Sequence, residues 1–231
     1  MKVTIIHGQT HHGSTYHLTH TLVSKLNCSK EDISEFTVND ISYCVGCFQC
    51  IFKDEHLCPH RKQLNPIITA LENADVIIMD SPNYVMGMSG QLKAFFDHLA
   101  YRWMSHRPDG EMKKKIAVAV STTASMGAKT VTKQIATQFR WWAVGQIYQL
   151  PFTVAAASWD DVSGKIRNKI DIKTDKLASK INKLSGNVRF NLKGRLIFFM
   201  NQNIQRGLGY NPVDVEWWEK HGWIKKKKSQ T

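Results

Sequence analysis

Apolar positions follow two alternating rhythms over the first two-thirds of the chain and a single rhythm over the last third. Short runs rich in β-branched residues at 2–7, 32–38, 75–80, 115–121 and 147–154 predict five strands. Between them, apolar residues recur at helical spacing: Leu18, Leu22 and Leu26; Leu64, Ile67, Ile68 and Leu71; Leu92, Phe95, Phe96 and Leu99; then Ile135, Phe139 and Trp142. Parallel strands joined by single helices need right-handed crossovers, so this order predicts a parallel sheet covered on both faces.

Five such strands fit an α/β, flavodoxin-like doubly wound sheet of order 2-1-3-4-5, whose ligands lie beyond the carboxyl ends of the strands. From about residue 160 the pattern becomes helical only. Ile166 and Ile170, then Leu177, Ile181 and Leu184, predict one amphipathic helix or a broken pair. Leu192, Leu196, Phe199, Met200 and Ile204 predict another, and Val213 to His221 a short last one. The expected organisation is a ligand-binding domain over 1–158 and a basic α-helical extension over 159–231, packed on the sheet or on a second subunit.

Composition narrows the class. Hydrophobic residues make up 42% of the 231 positions and charged residues 22%, ordinary values for a globular chain. No apolar run approaches a membrane span, and the first 15 residues read as strand and turn rather than as a signal peptide. Four of the five cysteines crowd between Cys44 and Cys58, which argues against a disulfide scaffold and for a reducing, cytoplasmic compartment. Charge is uneven: residues 162–231 carry 16 Lys/Arg against 5 Asp/Glu, while residues 1–161 carry 15 against 14. That excess reads as a solvated helical surface ending in the tail Lys225 to Lys228. No nucleic-acid module accompanies it, so nucleic acid is not an expected partner.

Three polar, Gly-containing loops, starting at Gly8, Ser81 and Ser121, follow strands 1, 3 and 4 and must open on one edge. The first, Gly8-Gln-Thr-His-His-Gly13-Ser14-Thr15, offers amides and hydroxyls at a helix N-terminus, where a phosphate is favoured. Ser14 stands where a triphosphate-binding loop needs Lys, and Thr10 where a dinucleotide loop needs Gly. A single terminal phosphate, as in FMN, suits it better.

Together, Gly8…Gly13-Ser14-Thr15, Cys44-x2-Cys47-x2-Cys50-x7-Cys58 and Ser81-Pro82-x-Tyr84…Ser89-Gly90-x-Leu92-Lys93…Asp97 resemble the iron–sulfur flavoprotein branch of the NADPH-dependent FMN reductase superfamily. The resemblance covers about residues 1–155. It implies that Gln9, Thr10, Ser14 and Thr15 hold the FMN phosphate and ribityl chain. By the same resemblance, Pro82, Asn83, Tyr84, Met86 and Gly87 lie along the flavin ring. Thr122, Thr123, Ser125, Met126 and Gly127 close its pyrimidine side. Where the family carries Ser-Pro-Arg after the first Gly, this chain has Gln9-Thr10-His11, leaving His11 or His12 as substitutes for the Arg. The activity implied is transfer of hydride or electrons from NAD(P)H, a transient substrate, to a quinone, flavin, nitroaromatic or metal centre. Because FMN carries that chemistry, no side-chain acid or base is expected. The alternative is an electron-transfer protein that does not turn over NAD(P)H. A homodimer or homotetramer is expected.

Cys44, Cys47, Cys50 and Cys58 have the compact spacing of a [4Fe–4S] ligand set. Thiolates also bind Zn²⁺, with His56 and His60 as substitutes, and the third reading is a set of reduced thiols. Cys28 is expected to be a partly buried thiol. His11, His12, His17 and His20 gather near the first loop without an acidic ligand set and read as loop and surface residues; His98 and His106 follow the second loop and read as capping and ending a helix rather than bordering a substrate mouth. Trp141-Trp142 and Trp217-Trp218 are expected at core or subunit contacts.

Overall fold

The computed structural model of the chain describes residues 1–225; the tail beyond Lys225 lies outside the described residues. Its strands are β1 (Val3–His7), β2 (Ile33–Thr37), β3 (Val76–Asp80), β4 (Ile116–Thr123) and β5 (Gln146–Thr153). Its helices are α1 (Ser14–Val23), α2 (Gln49–Phe52), α3 (Arg61–Asn73), α4 (Gly90–His98) and α5 (Ala128–Trp141), followed by α6 (Gly164–Leu184), α7 (Leu192–Gly207) and α8 (Pro212–Lys220). All strand pairs are parallel and the order is β2-β1-β3-β4-β5, the expected doubly wound sheet.

Alternation along each strand sorts the core into two layers. Ile6, Ile77, Met79, Ala117 and Ala119 face α3, α4 and α5, meeting Leu64, Ile68, Phe95, Val131 and Phe139. Val3, Ile5, Ile78, Val118 and Val120 face the other way, toward Leu18 and Leu22 of α1 and Ile170, Ala178 and Ile181 of α6. α6 therefore covers the sheet beside α1. Residues 2–7, 75–80 and 147–154 bracket their strands to within a residue. β4 outlasts the expected 115–121, because β5 continues to pair with it at Thr122↔Phe152 and Thr123↔Thr153. Both threonines consequently belong to strand rather than loop.

The C-terminal helices hold a different balance. α8 docks through Trp218, whose ring is wholly buried and whose Nε1 donates to the His106 carbonyl at 2.6 Å. A buried ion pair fixes it further: Arg107 Nη1 lies 2.7 Å from Asp214 Oδ1, and both side chains are almost fully enclosed. The same guanidinium donates to the carbonyls of Cys50 and Ile51 and pairs with Glu55 at 3.3 Å. Asn211 at the start of α8 adds a bond to the Ile51 carbonyl at 2.7 Å. α7 is the exception. Leu192, Leu196, Phe199, Met200 and Ile204 do form one helical stripe, but they stand 43–80% exposed. Among the described residues no helix is long and apolar enough to cross a membrane.

Removing one member of a buried ion pair strands the other charge, so Arg107→Ala should cost about 3–5 kcal/mol in a urea unfolding curve. Trp fluorescence of the folded variant should shift to the red as α8 loosens around Trp218.

Candidate functional site

The carboxyl ends of β1, β3 and β4 are pinned to one another by the loops that leave them. Gly8 N donates to the Asp80 carbonyl at 2.9 Å, and Ser89 Oγ, the N-cap of α4, donates to the Gly8 carbonyl at 2.5 Å. A Cβ at Gly8 would meet Ser89 Oγ at 2.7 Å and the Asp80 carbonyl at 2.9 Å, so only glycine allows this approach. Thr15 and Thr122 share a 2.6 Å hydroxyl–hydroxyl bond, joining the start of α1 to the end of β4. Asn83 donates to the Met126 carbonyl at 2.9 Å, tying the loop after β3 to the loop after β4. Gly127 makes room for that contact: at φ +104° it caps α5, and a Cβ there would lie 2.5 Å from the Asn83 amide.

An open cleft of about 480 Å³ lies between these loops. Seven of the expected cofactor-binding residues line it, Ser14, Thr15, Pro82, Asn83, Tyr84, Thr122 and Thr123, and so do His11 and His12, the expected substitutes for the Arg. No side chain caps α1, whose N-cap is Gly13, so its first-turn amides face the cleft without a competing acceptor. The remaining expected residues sit elsewhere. Gln9 is buried beside the cleft with its Oε1 unpartnered, and Thr10 is exposed off its wall. Met86 and Gly87 belong to a projecting turn closed by paired 2.9 Å backbone bonds between Tyr84 and Gly87. Val85 and Met86 are left-handed there at φ +50° and +62°, an uncommon conformation for side chains of their kind. Ser125, Met126 and Gly127 stand behind Asn83 rather than in the wall.

A fourth wall was not foreseen. The segment after β5 brings Ala156, Ala157, Ser158, Trp159 and Asp160 to the cleft. The Trp159 ring stacks on His17 at 5.0 Å, and burial draws the His17 pKa below the ordinary imidazole value. The signal was available, since β5 ends on the same edge as β4, but the strand's exit carries no glycine or hydroxyl motif.

The histidine reading is corrected. His20 does have an acidic partner: Glu35 Oε1 lies 3.1 Å from its Nε2, and the same oxygen lies 2.8 Å from Nε2 of His7. Nδ1 of His7 meets Asp80 Oδ2 at 2.6 Å. Burial lowers the His7 pKa, but the bonds to Asp80 and Glu35 outweigh it and hold the imidazole above its ordinary value. Glu35 reaches this group from β2, across a strand pairing that linear spacing does not reveal.

Cys44, Cys47, Cys50 and Cys58 line one small cavity of about 20 Å³ together with His60 and His98. His98 Nε2–H donates to the Ser42 carbonyl at 2.7 Å, leaving Nδ1 to accept from the Cys58 thiol at 3.8 Å. Burial, then the thiols of Cys58, Cys44 and Cys47, push Cys50 up to about 11. Cys28 is partly buried, as expected.

These features define a doubly wound α/β protein with an open cleft at the point where strand order reverses. Over residues 1–160 the chain matches the model of the NADPH-dependent FMN reductase family, and it belongs to that family. It is 34% identical over 98 residues to an iron-sulfur flavoprotein of Methanocaldococcus jannaschii, covering 42% of this chain and 48% of that protein. An FMN-dependent NADH:quinone oxidoreductase of Burkholderia pseudomallei is 42% identical over 60 residues, 24% of this chain and 30% of that protein. The matched segments thus span about half or less of these relatives. Among solved structures, a flavone reductase superposes with a TM-score of 0.61 at 10% identity, each chain fully covered. The azoreductase AzrA superposes with a TM-score of 0.57 at 12% identity, covering 78% of this chain and all of that one. At such identities the likeness speaks for the fold.

A thiol raised to about 11 is protonated at neutral pH, whereas alkylation needs the thiolate. Timed iodoacetamide labelling at pH 7.5, read by peptide mass spectrometry, should modify exposed Cys44 and Cys47 well before Cys50. The Cys50 rate should climb as pH rises toward 11.

Proposed function

We propose that the chain is an FMN-dependent NAD(P)H oxidoreductase, passing hydride or electrons from a nicotinamide nucleotide to a second acceptor. Candidate acceptors are a quinone, a flavin, a nitroaromatic or a metal centre. The observation that carries this reading is the cleft at the strand switch point, lined by Ser14, Thr15, Thr122 and Thr123 and bordered by the uncapped first turn of α1. Amides and hydroxyls at the start of α1 are donors, and they suit the acceptor oxygens of a phosphate monoester.

The roles of the residues follow from where they stand. Ser14, Thr15 and the first-turn amides of α1 would hold the phosphate monoester, with the helix dipole adding to the attraction. Pro82, Asn83 and Tyr84 on one side, and Thr122 and Thr123 on the other, would border the ring. Gln9 and Met126 would act through the loops they support, Met126 by its carbonyl under Asn83. Met86 and Gly87, on the projecting turn, would meet the ring's outer edge, and Thr10, Ser125 and Gly127 would shape the loops behind. Trp159 and His17 would shield the cleft from water. FMN, when bound, supplies the hydride-accepting chemistry. The protein's part is to orient two flat partners face to face.

The cysteine loop supports a second reading, an FMN protein with a [4Fe–4S] cluster that transfers electrons without turning over NAD(P)H. Its donor set suits a cluster. Its room does not: about 20 Å³ holds roughly one water. We therefore take the thiols as reduced. The five free cysteines suit a reducing compartment, and the proposed location is the cytoplasm. The exposed apolar stripe of α7 supports a homodimer or homotetramer.

Stopped-flow mixing of the FMN-loaded protein with NADH or NADPH should bleach the flavin absorbance within seconds; a flavin that stays oxidised with both would overturn the oxidoreductase reading. Gly127→Ala, which drives a Cβ into Asn83, should weaken FMN binding by about tenfold or more in a fluorescence titration. Anaerobic preparations should contain sub-stoichiometric iron and sulfide, and light scattering should return at least twice the chain mass.

A further inference from the structure

We propose that His7, His20 and Glu35 form a binding site for a divalent first-row transition-metal cation, best matched by Zn²⁺. The three side chains come from three elements: the last residue of β1, the last turn of α1 and the middle of β2. One ligand atom from each, an imidazole nitrogen from both histidines and a carboxylate oxygen, lies within 4.8 Å of the other two. Two imidazoles and one carboxylate are borderline donors, which favour such ions over Mg²⁺ or Ca²⁺.

The spacing is close to what a bound ion needs. Tetrahedral bonds of about 2.0–2.2 Å place neighbouring ligand atoms roughly 3.3 Å apart. The two histidine nitrogens stand 2.8 and 3.1 Å from Glu35 Oε1 and within 4.8 Å of each other, so side-chain adjustment on the ångström scale would admit the ion. Glu35 and His20 can make that shift, because their side chains are 37% and 33% exposed. His7 cannot and need not.

His7 is held as metal-ligating histidines are held. Its other nitrogen, Nδ1, meets the fully buried carboxylate of Asp80 at 2.6 Å, which turns Nε2 toward Glu35. Thr19 steadies that carboxylate from α1, donating to Asp80 Oδ2 at 2.7 Å. Asp80 Oδ1 is also buried and has no partner, leaving negative charge at the foot of the group. On the outer side, Tyr16 lies tilted 4.1 Å from His20, and His12 stacks 3.9 Å from Tyr16. With the Glu35 and His20 side chains 37% and 33% exposed, solvent can supply a water as the fourth ligand. The site is independent of the flavin reading and of the cysteine loop. A dication here would add positive potential directly beneath the turn that begins at Gly8.

The test uses the full chain, stripped with a chelator, with Cys44→Ser and Cys47→Ser so that the cysteine loop cannot supply a thiolate cage. Calorimetric titration with Zn²⁺ should give one site per chain. The zinc X-ray absorption edge should report nitrogen and oxygen neighbours at about 2.0–2.1 Å and no sulfur near 2.3 Å. His20→Ala and Glu35→Gln, at partly exposed positions chosen because His7→Ala could unfold the chain, should each weaken binding by about tenfold or more. Thr19→Val, which keeps the shape and removes the hydroxyl bond to Asp80, should weaken it by about tenfold. Zn²⁺ should raise the melting temperature of the parent and not of His20→Ala. Absence of binding, a sulfur shell, or equal affinity in His20→Ala would overturn the proposal.

Discussion

The approach of Gly8 to the end of β3 is the constraint on which the rest of the cleft depends. It lets the first turn lie flat against the Asp80 carbonyl and brings the Ser89 hydroxyl onto Gly8. With that seam closed, α1 and α4 start side by side, and the Thr15–Thr122 and Asn83–Met126 bonds carry the alignment on to β4. A parallel sheet supplies the common edge; these few short bonds turn the edge into a cavity.

Much of this was legible in the residues. The five apolar runs and the helical stripes between them are dictated by burial on two faces, so strand order and layer membership follow with few alternatives. Ser14, Thr15, Pro82, Asn83, Tyr84, Thr122 and Thr123 were readable because glycines and hydroxyls at strand ends have local reasons to be there. What stayed hidden depends on distance across the sheet. Glu35 looks like an ordinary exposed position of a short edge strand until β2 pairs with β1 and sets it against His7 and His20. Trp159 reads as the start of a helical segment until β5 delivers it to the cleft. The stripe of α7 shows the limit of periodicity itself: apolar spacing identifies the helix but not the direction in which its apolar side looks.

Polar groups within the fold divide into two kinds. Some are matched on both sides, such as Asp214, whose two carboxylate oxygens meet Arg107 and His106, and these fix one arrangement of loops. Others, such as Gln9 Oε1, Asn83 Oδ1 and Asp80 Oδ1, keep unused hydrogen-bonding capacity in buried surroundings. Protein interiors rarely tolerate the second kind, and these three stand at the carboxyl edge of the sheet, where a fold of this type receives its ligands.

The anchorage of α8 gives the chain's two ends an unequal relation to its middle. The loop that carries Cys50 is stapled from outside, by a guanidinium and a helix start encoded some 60 and 160 positions later, and has little regular structure of its own. During synthesis that loop must therefore wait for the final helix before it acquires its finished shape. Any fraying or clipping near the carboxyl terminus would be felt first at the thiols, far away in sequence and adjacent in space.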